Sequence, residues 1–372
     1  MTDPKDLSVL VVDDTVVFRK IVSDVLTEMP DVEVVGTASN GKIAISKIAS
    51  SKPDLLILDI EMPEMDGLEV LTHIKTRFPD VGAIVLSSLT QKGGDITLKA
   101  LELGAFDFVL KPQGGTIDAN KNAVKSTLSP MLKAFARRNE IKKILKGKLT
   151  LPSETKVSGA PVFDTPDLVR RMRAVASPRR SKSEIVAIGI STGGPNALAQ
   201  MLPQIPYNVG VPILIVQHMP SIFTQSLANS LNSMCDIEVR EAVNGQTIEP
   251  NIALIAPGGK QMKVAASADG ENRIIRVTND LPENNCRPSI DYLFRSIAYH
   301  YVGRSTGVIM TGMGSDGTLG LKLMKRNGAT IIAQDEASSV VFGMAKEPVE
   351  TGLVNVIAPL DNIADEISRT LK

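Results

Sequence analysis

Short apolar runs recur along this chain, and nearly every one stops at a carboxylate, a hydroxyl, a lysine or a glycine. Val9–Val12 ends at Asp13-Asp14, and Leu55–Leu58 at Asp59. Ala83–Leu86 ends at Ser87-Ser88, and Phe106–Leu110 at Lys111-Pro112; Val32–Val35 adds a fifth run. Continuous apolar stretches this short read as strands buried on both faces. Between the first two, Phe18, Ile21, Val22, Val25 and Leu26 recur at helical spacing. Strands alternating with helices predict a doubly wound parallel sheet for residues 1–125.

The same grammar returns near the middle of the 372-residue chain. Ile185–Ile190 runs into Ser191-Thr192-Gly193-Gly194-Pro195, and Val211–Val216 into Gln217-His218. Ile252–Ile255 runs into Ala256-Pro257-Gly258-Gly259, and Gly307–Met310 into the segment Thr311 to Gly317. Ala329–Ala333 is the last run. Met262–Ala265 and Arg273–Val277, joined through Asp269-Gly270, predict a hairpin. Residues 184–372 therefore read as a second α/β domain. Residues 126–183 between them hold Pro130, Pro152, Pro161, Pro166 and Pro178 and read as a linker. It includes a basic helical piece, Lys133–Lys148, expected to be a solvated face carrying Arg137, Arg138, Lys142, Lys143, Lys146 and Lys148, with a patch for nucleic acid or an acidic partner as the alternative.

Composition narrows the function classes. Lys plus Arg and Asp plus Glu are both 41, so no net charge is available for neutralising a nucleic-acid backbone. No apolar run approaches the roughly 20 residues that span a bilayer. Two cysteines, Cys235 and Cys286, make no disulfide framework. These features predict a cytoplasmic protein with neither nucleic-acid binding nor membrane insertion.

In parallel sheets, ligands bind beyond the carboxyl ends of the strands. Asp13, Asp14 and Asp59 fall at two such ends and suit Mg²⁺, a hard cation that takes carboxylates, waters and phosphate oxygens. Ser87 offers a hydroxyl and Lys111 a cation to a phosphoryl group, and a carboxylate is available as nucleophile. In the second half, Ser191 sits on a glycine-rich turn from strand to helix. Such a turn serves either an acyl-transfer nucleophile or a phosphate-binding loop. A serine nucleophile needs a base. His73 lies in a helix of the first domain and His300 ends a helix, so His218, at the end of a buried strand, is the candidate. Asp316 is the candidate orienting carboxylate, with helix capping as its alternative role. The chain order Ser, His, Asp differs from that of α/β-hydrolases.

Residues 6–125 resemble the receiver domain of response regulators through Asp13-Asp14, Asp59 to Gly67 and Lys111-Pro112. The resemblance implies that Asp59 accepts the phosphoryl group, that the Glu61 backbone joins Asp13, Asp14 and Asp59 around the metal, and that Phe108 is the aromatic switch. Nearly the whole chain resembles chemotaxis protein-glutamate methylesterases of the CheB type. The motifs are Gly189–Pro195, Gln217–Pro220, Ala256–Gly259, Arg287–Asp291 and Thr311–Gly317. That resemblance implies a flavodoxin-like receiver and a Rossmann-like methylesterase domain. It implies a Ser191–His218–Asp316 triad with Thr192 beside the nucleophile and Met313 near the oxyanion. The implied substrates are methylated chemoreceptors and certain receptor glutamines, with a cognate histidine kinase as phosphodonor, Mg²⁺ in the receiver and no cofactor for the ester step. The same chemistry on a non-receptor protein, a receiver-linked switch without catalysis, and a DNA-binding output are the alternatives. The last would need a basic recognition helix that the second domain does not offer.

Overall fold

The computed structural model describes residues 6–145 and 182–372. The first domain runs β1 (Leu7–Val12), α1 (Val16–Thr27), β2 (Val32–Ala38), α2 (Gly41–Ser51), β3 (Leu55–Asp59), α3 (Gly67–Arg77), β4 (Gly82–Ser87), α4 (Gln91–Glu102), β5 (Asp107–Leu110) and α5 (Ile117–Leu145). Its sheet is parallel throughout, in the order β2-β1-β3-β4-β5. The central apolar runs are buried on both faces, as their composition predicts: every residue of β1 and β3 is buried, whereas the run Val32–Val35 lies in the edge strand β2 and is only half-buried, with Glu33 exposed.

Helix α5 crosses residue 125, where the sequence reading ends the first domain. It continues to Leu145, with Pro130 inside it. A proline there removes one backbone hydrogen bond, yet Leu128, Met131, Leu132 and Phe135 all pack into the first domain's core. The Phe135 ring meets Phe106 edge-on at 5.3 Å. The basic piece is likewise not a uniformly solvated face. Arg137 pairs with Glu336 of the second domain at 2.6 Å, and the Arg138 guanidinium lies over the Phe106 ring. Lys146 and Lys148 lie outside the described residues.

The second domain runs β6 (Ile185–Ile190), α6 (Gly194–Met201), β7 (Ile213–Gln217), α7 (Ser221–Met234), β8 (Glu238–Glu241), β9 (Ile252–Ile255), β10 (Gln261–Ala266), β11 (Arg273–Thr278), α8 (Ile290–His300), β12 (Ser305–Ile309), α9 (Thr318–Arg326), β13 (Thr330–Gln334), α10 (Lys346–Glu350), β14 (Val356–Ala358) and α11 (Ile363–Thr370). Seven strands form a parallel sheet in the order β14-β13-β12-β6-β7-β9-β8. The expected hairpin is β10–β11, an antiparallel pair outside that sheet. From β6 the chain first builds outward through β7 and later returns to lay β12 on the other side. The carboxyl end of β6 is therefore a topological switch point, where a crevice opens.

The two domains pack together. Helix α4 lies against α7 closely enough that a Cβ on Gly94 would stand 3.1 Å from the Ile222 carbonyl oxygen. The Phe108 and Phe223 rings meet at 4.7 Å. One buried apolar cluster includes residues of both domains. No helix among the described residues is long and apolar enough to cross a membrane.

Candidate active site

Three neighbouring strands, β12, β6 and β7, set the site. Ile190 and Gln217 are register partners, so Ser191 and His218 are the next residues on adjacent strands. The His218 N–H donates to the Ile190 carbonyl at 3.1 Å, and the Ser191 N–H to the Thr311 carbonyl at 3.0 Å. Ser191 is thus held between the ends of β7 and β12. The sharp turn after it needs a left-handed residue, and Gly193 has φ +75°. The loop after β12 passes so near that a Cβ on Gly312 would stand 2.7 Å from the Ser191 Cβ.

His218 Nε2 lies 2.9 Å from Asp316 Oδ2. That bond fixes the neutral imidazole with its proton on Nε2 and its lone pair on Nδ1. Asp316 is 3% exposed, so its charge needs donors. It has them. The Asn284 side-chain amide and the Ser289 hydroxyl each donate to Oδ1 at 2.9 Å. The Gly317 and Asp291 N–H groups donate to Oδ1 at 3.1 and 3.2 Å, and the Ile290 N–H to Oδ2 at 2.7 Å. Ile290 and Asp291 open helix α8, whose positive end favours an anion. Burial alone would raise the Asp316 carboxyl, but His218 and these donors outweigh it and hold it at about 2. The expected alternative, an N-cap for the helix from Thr318 to Arg326, is not the role Asp316 takes; it accepts instead from the N–H groups that open α8, whose N-cap is Ser289. At the start of α9 the N-cap residue is Gly317.

Burial pulls His218 down, but the bonds to Asp316 and Cys286 prevail and lift it to about 9. A general base must be neutral to take a proton. Ester hydrolysis by the free enzyme is therefore expected to climb with pH between 6 and about 9 and then level; a rate flat across that window would remove His218 as the base. The stability linkage has the opposite sign. The fold favours charged His218, so its contribution is full below the ordinary value of 6.5 and is lost as pH rises through about 9.

The sequence motifs contain supports whose roles only the geometry reveals. The Gln217 amide donates to both the Ser191 and His218 carbonyls at 3.0 Å, stapling the nucleophile loop to the base loop. Asn284 reaches Asp291 and Asp316 with one amide nitrogen. Thr311 Oγ1 donates to the Thr192 carbonyl at 2.9 Å. The packing of Asn284 beneath Asp316 has no signal in the sequence.

The first domain gathers Asp13, Asp14 and Asp59, whose carboxylate atoms lie within 4.8 Å of one another. Lys111 Nζ stands 2.8 Å from Asp13 Oδ2 and 2.7 Å from Asp59 Oδ2. Burial, more than offsetting Lys111, pushes the Asp59 carboxyl up to about 6. Ser87 Oγ lies 2.6 Å from Thr97 Oγ1 on α4, and Ser88 donates to the Glu61 carboxylate at 2.9 Å. The buried Oδ2 atoms of Asp13 and Asp59 find no donor among the described residues besides the Lys111 ammonium. A hard cation fits that donor set.

The first domain also touches the second beside Ser191. Burial pushes the Asp107 carboxyl up to about 7, against a lowering influence of the neighbouring Thr192 side chain. The Asn196 amide donates to the Ala105 carbonyl at 3.4 Å. Met313, which the resemblance implies lies near the oxyanion, packs its side chain against the apolar cluster of the first domain.

A carboxylate-rich doubly wound domain, packed on an α/β domain with a serine, histidine and aspartate at its switch point, defines a response regulator with a hydrolase-type output. Residues 9–118 match the response regulator receiver domain, and residues 186–367 match the CheB methylesterase family. The chain is 55% identical over 370 residues to a protein-glutamate methylesterase/protein-glutamine glutaminase of Desulfotalea psychrophila, covering 99% of each. It is 40% identical to the Bacillus subtilis protein of the same name, covering 98% of this chain and 99% of that one. It is also similar to the crystal structure of the Thermotoga maritima CheB methylesterase catalytic domain, with 37% identity, a TM-score of 0.49, and coverage of 51% of this chain and 99% of that one. The chain belongs to the CheB family of protein-glutamate methylesterases.

Proposed function

We propose that this chain hydrolyses γ-glutamyl methyl esters on chemoreceptors, releasing methanol, and deamidates receptor glutamines, under control of phosphorylation at Asp59. The observation that carries the reading is the 2.9 Å His218–Asp316 bond beside Ser191, at the ends of three adjacent strands. Ser191 Oγ attacks the side-chain carbonyl while its proton passes to His218 Nδ1. Asp316 stabilises the imidazolium that forms. The Ser191 N–H is held by the Thr311 carbonyl, so donors for the developing oxyanion come from backbone N–H groups elsewhere around the glycine turn. His218 returns the proton to the leaving methoxide or ammonia. Water, activated by the same histidine, then hydrolyses the acyl-enzyme and leaves a glutamate. Release of methanol from methyl-labelled receptors is the direct test; a purified protein that releases none would overturn the reading.

In the receiver, Asp13, Asp14, Asp59 and the Glu61 backbone would hold Mg²⁺. When bound, the ion neutralises phosphoryl charge during transfer to Asp59. Lys111 contacts the phosphoryl group, as does Ser87 once its hydroxyl turns from Thr97. A histidine kinase supplies the group in the cytoplasm. The contacts at Thr192, Asn196 and Met313 put the receiver at the mouth of the ester site, where a receptor helix must enter. Phosphorylation relieves this block by shifting the population toward an open arrangement. A small phosphodonor should raise the rate on receptor substrate roughly tenfold, the response to ~1.4 kcal/mol. Asp59→Asn should abolish that rise; an Asp59→Asn protein still stimulated by phosphodonor would assign the phosphoryl site elsewhere.

A further inference from the structure

We propose that Cys286 is an oxidation-sensitive thiol through which hydroperoxides switch the esterase off, an inference that rests on His218 being its general base. Because Asp316 occupies Nε2, the working nitrogen of His218 is Nδ1. The Cys286 sulfur lies 3.8 Å from that atom. The sulfur is held there by its backbone. The Cys286 N–H donates to the Glu283 carbonyl at 2.8 Å, the Glu283 N–H donates back at 3.2 Å, and the Gln261 amide bonds the Cys286 carbonyl at 3.3 Å. Cys286 is half-buried, which leaves room for a molecule as small as a peroxide to reach it.

The thiolate is the reactive form of a cysteine, and His218 Nδ1 is placed to take the thiol proton as the sulfur reacts. Cys235 sits at the end of α7, where burial and Asp236 push its thiol up to about 11.

The chemistry balances with a hydroperoxide as oxidant. The Cys286 sulfur attacks one peroxide oxygen, an S–O bond forms and the O–O bond breaks. The thiol proton passes through His218 Nδ1 to the departing hydroxide, giving water. Sulfur loses two electrons and the peroxide gains them. The product is a sulfenic acid, which two thiol equivalents return to the thiol with release of water. The added oxygen stands against Nδ1, the atom that must receive the Ser191 proton, so ester hydrolysis stops while the fold is retained.

The test uses the full chain treated with hydrogen peroxide, with methyl-ester hydrolysis and dimedone-trapped sulfenic acid, located by mass spectrometry, read in parallel. Wild type and Cys235→Ala should lose activity more than about tenfold, in step with labelling at Cys286, and regain it with dithiothreitol. Cys286→Ala should stay within about twofold of its own untreated rate. His218→Gln should slow labelling of Cys286 by about fivefold or more, a readout that needs no esterase activity. Equal inactivation of Cys286→Ala and wild type would overturn the proposal, as would full activity with Cys286 completely labelled, or labelling indifferent to His218→Gln. Absence of hydrolysis in the untreated wild type would instead strike the esterase reading, leaving the labelling comparison to decide the fate of Cys286.

Discussion

Replacing Ser191 with alanine is expected to lower methyl-ester hydrolysis by about a thousandfold or more, because only binding and oxyanion stabilisation remain when a nucleophile is removed. The fold should not change. Ser191 is half-buried, its backbone N–H keeps the Thr311 carbonyl, and the Cβ that crowds Gly312 is retained. His218→Gln should fail to a comparable extent, and the double variant should lose little more than either single one. Nucleophile and base serve one proton transfer, so their losses do not add. Turnover of methyl-labelled receptor, with a melting curve as control, checks this. An Ser191→Ala protein within ~10-fold of wild type would exclude a Ser191 nucleophile.

The second large effect is expected from Asp316→Asn. Read from the sequence, Asp316 is an orienting group whose loss should be milder than that of serine or histidine. The hydrogen bonds argue for a harsher outcome. An amide presents two N–H donors to a pocket that already aims the Asn284 amide, the Ser289 hydroxyl and three backbone N–H groups at this side chain. If its oxygen faces Oδ1's partners, its NH₂ faces His218 Nε2 and forces the other tautomer, leaving Nδ1 protonated and unable to accept a proton. Activity should fall by about a thousandfold or more, as for other triads given the wrong tautomer. The opposite orientation leaves buried donors unmatched, at about 1–3 kcal/mol each. Both losses are therefore expected, in kcat and in Tm. A variant that melts early but turns over normally would reduce Asp316 to a brace for α8. The pH dependence has the matching sign. Asp316 is held near 2, so its stabilisation is complete above the ordinary carboxylate value of 3.8 and drains away as pH falls toward 2.

What could be read in advance follows from burial. β1, β3, β4, β6, β7, β9 and β12 are apolar on both faces, so composition alone marks them. β8 and β14 sit at opposite edges of the second sheet and carry exposed residues; the sequence Glu-Val-Arg-Glu has no buried-strand signature. The end of α5 was hidden by Pro130, whose local penalty is smaller than the burial that follows it. Ser191, His218 and Asp316 were legible because each closes or follows a buried run and only three histidines compete. The roles of Gln217, Asn284 and Cys286 were not. Each depends on which loop a neighbouring strand delivers, which is set by sheet order.

That order also distributes stiffness. β6 is the middle of seven strands, clamped by β12 and β7, and carries the nucleophile. β5 is the last of its five, hydrogen-bonded to β4 alone among the described strands. Lys111, against Asp59, adjoins one end of β5; Asp107, against Thr192, is the other. At about 3.3 Å per residue these ends are some 13 Å apart. Edge strand β5 is thus one link from Lys111 toward the second domain, beside the packing of α4 on α7 and of Phe108 on Phe223. If Asp59 is the phosphoryl acceptor, a tilt begun at Lys111 would reach the second domain as displacement of the receiver, because the nucleophile sits on the middle strand of seven.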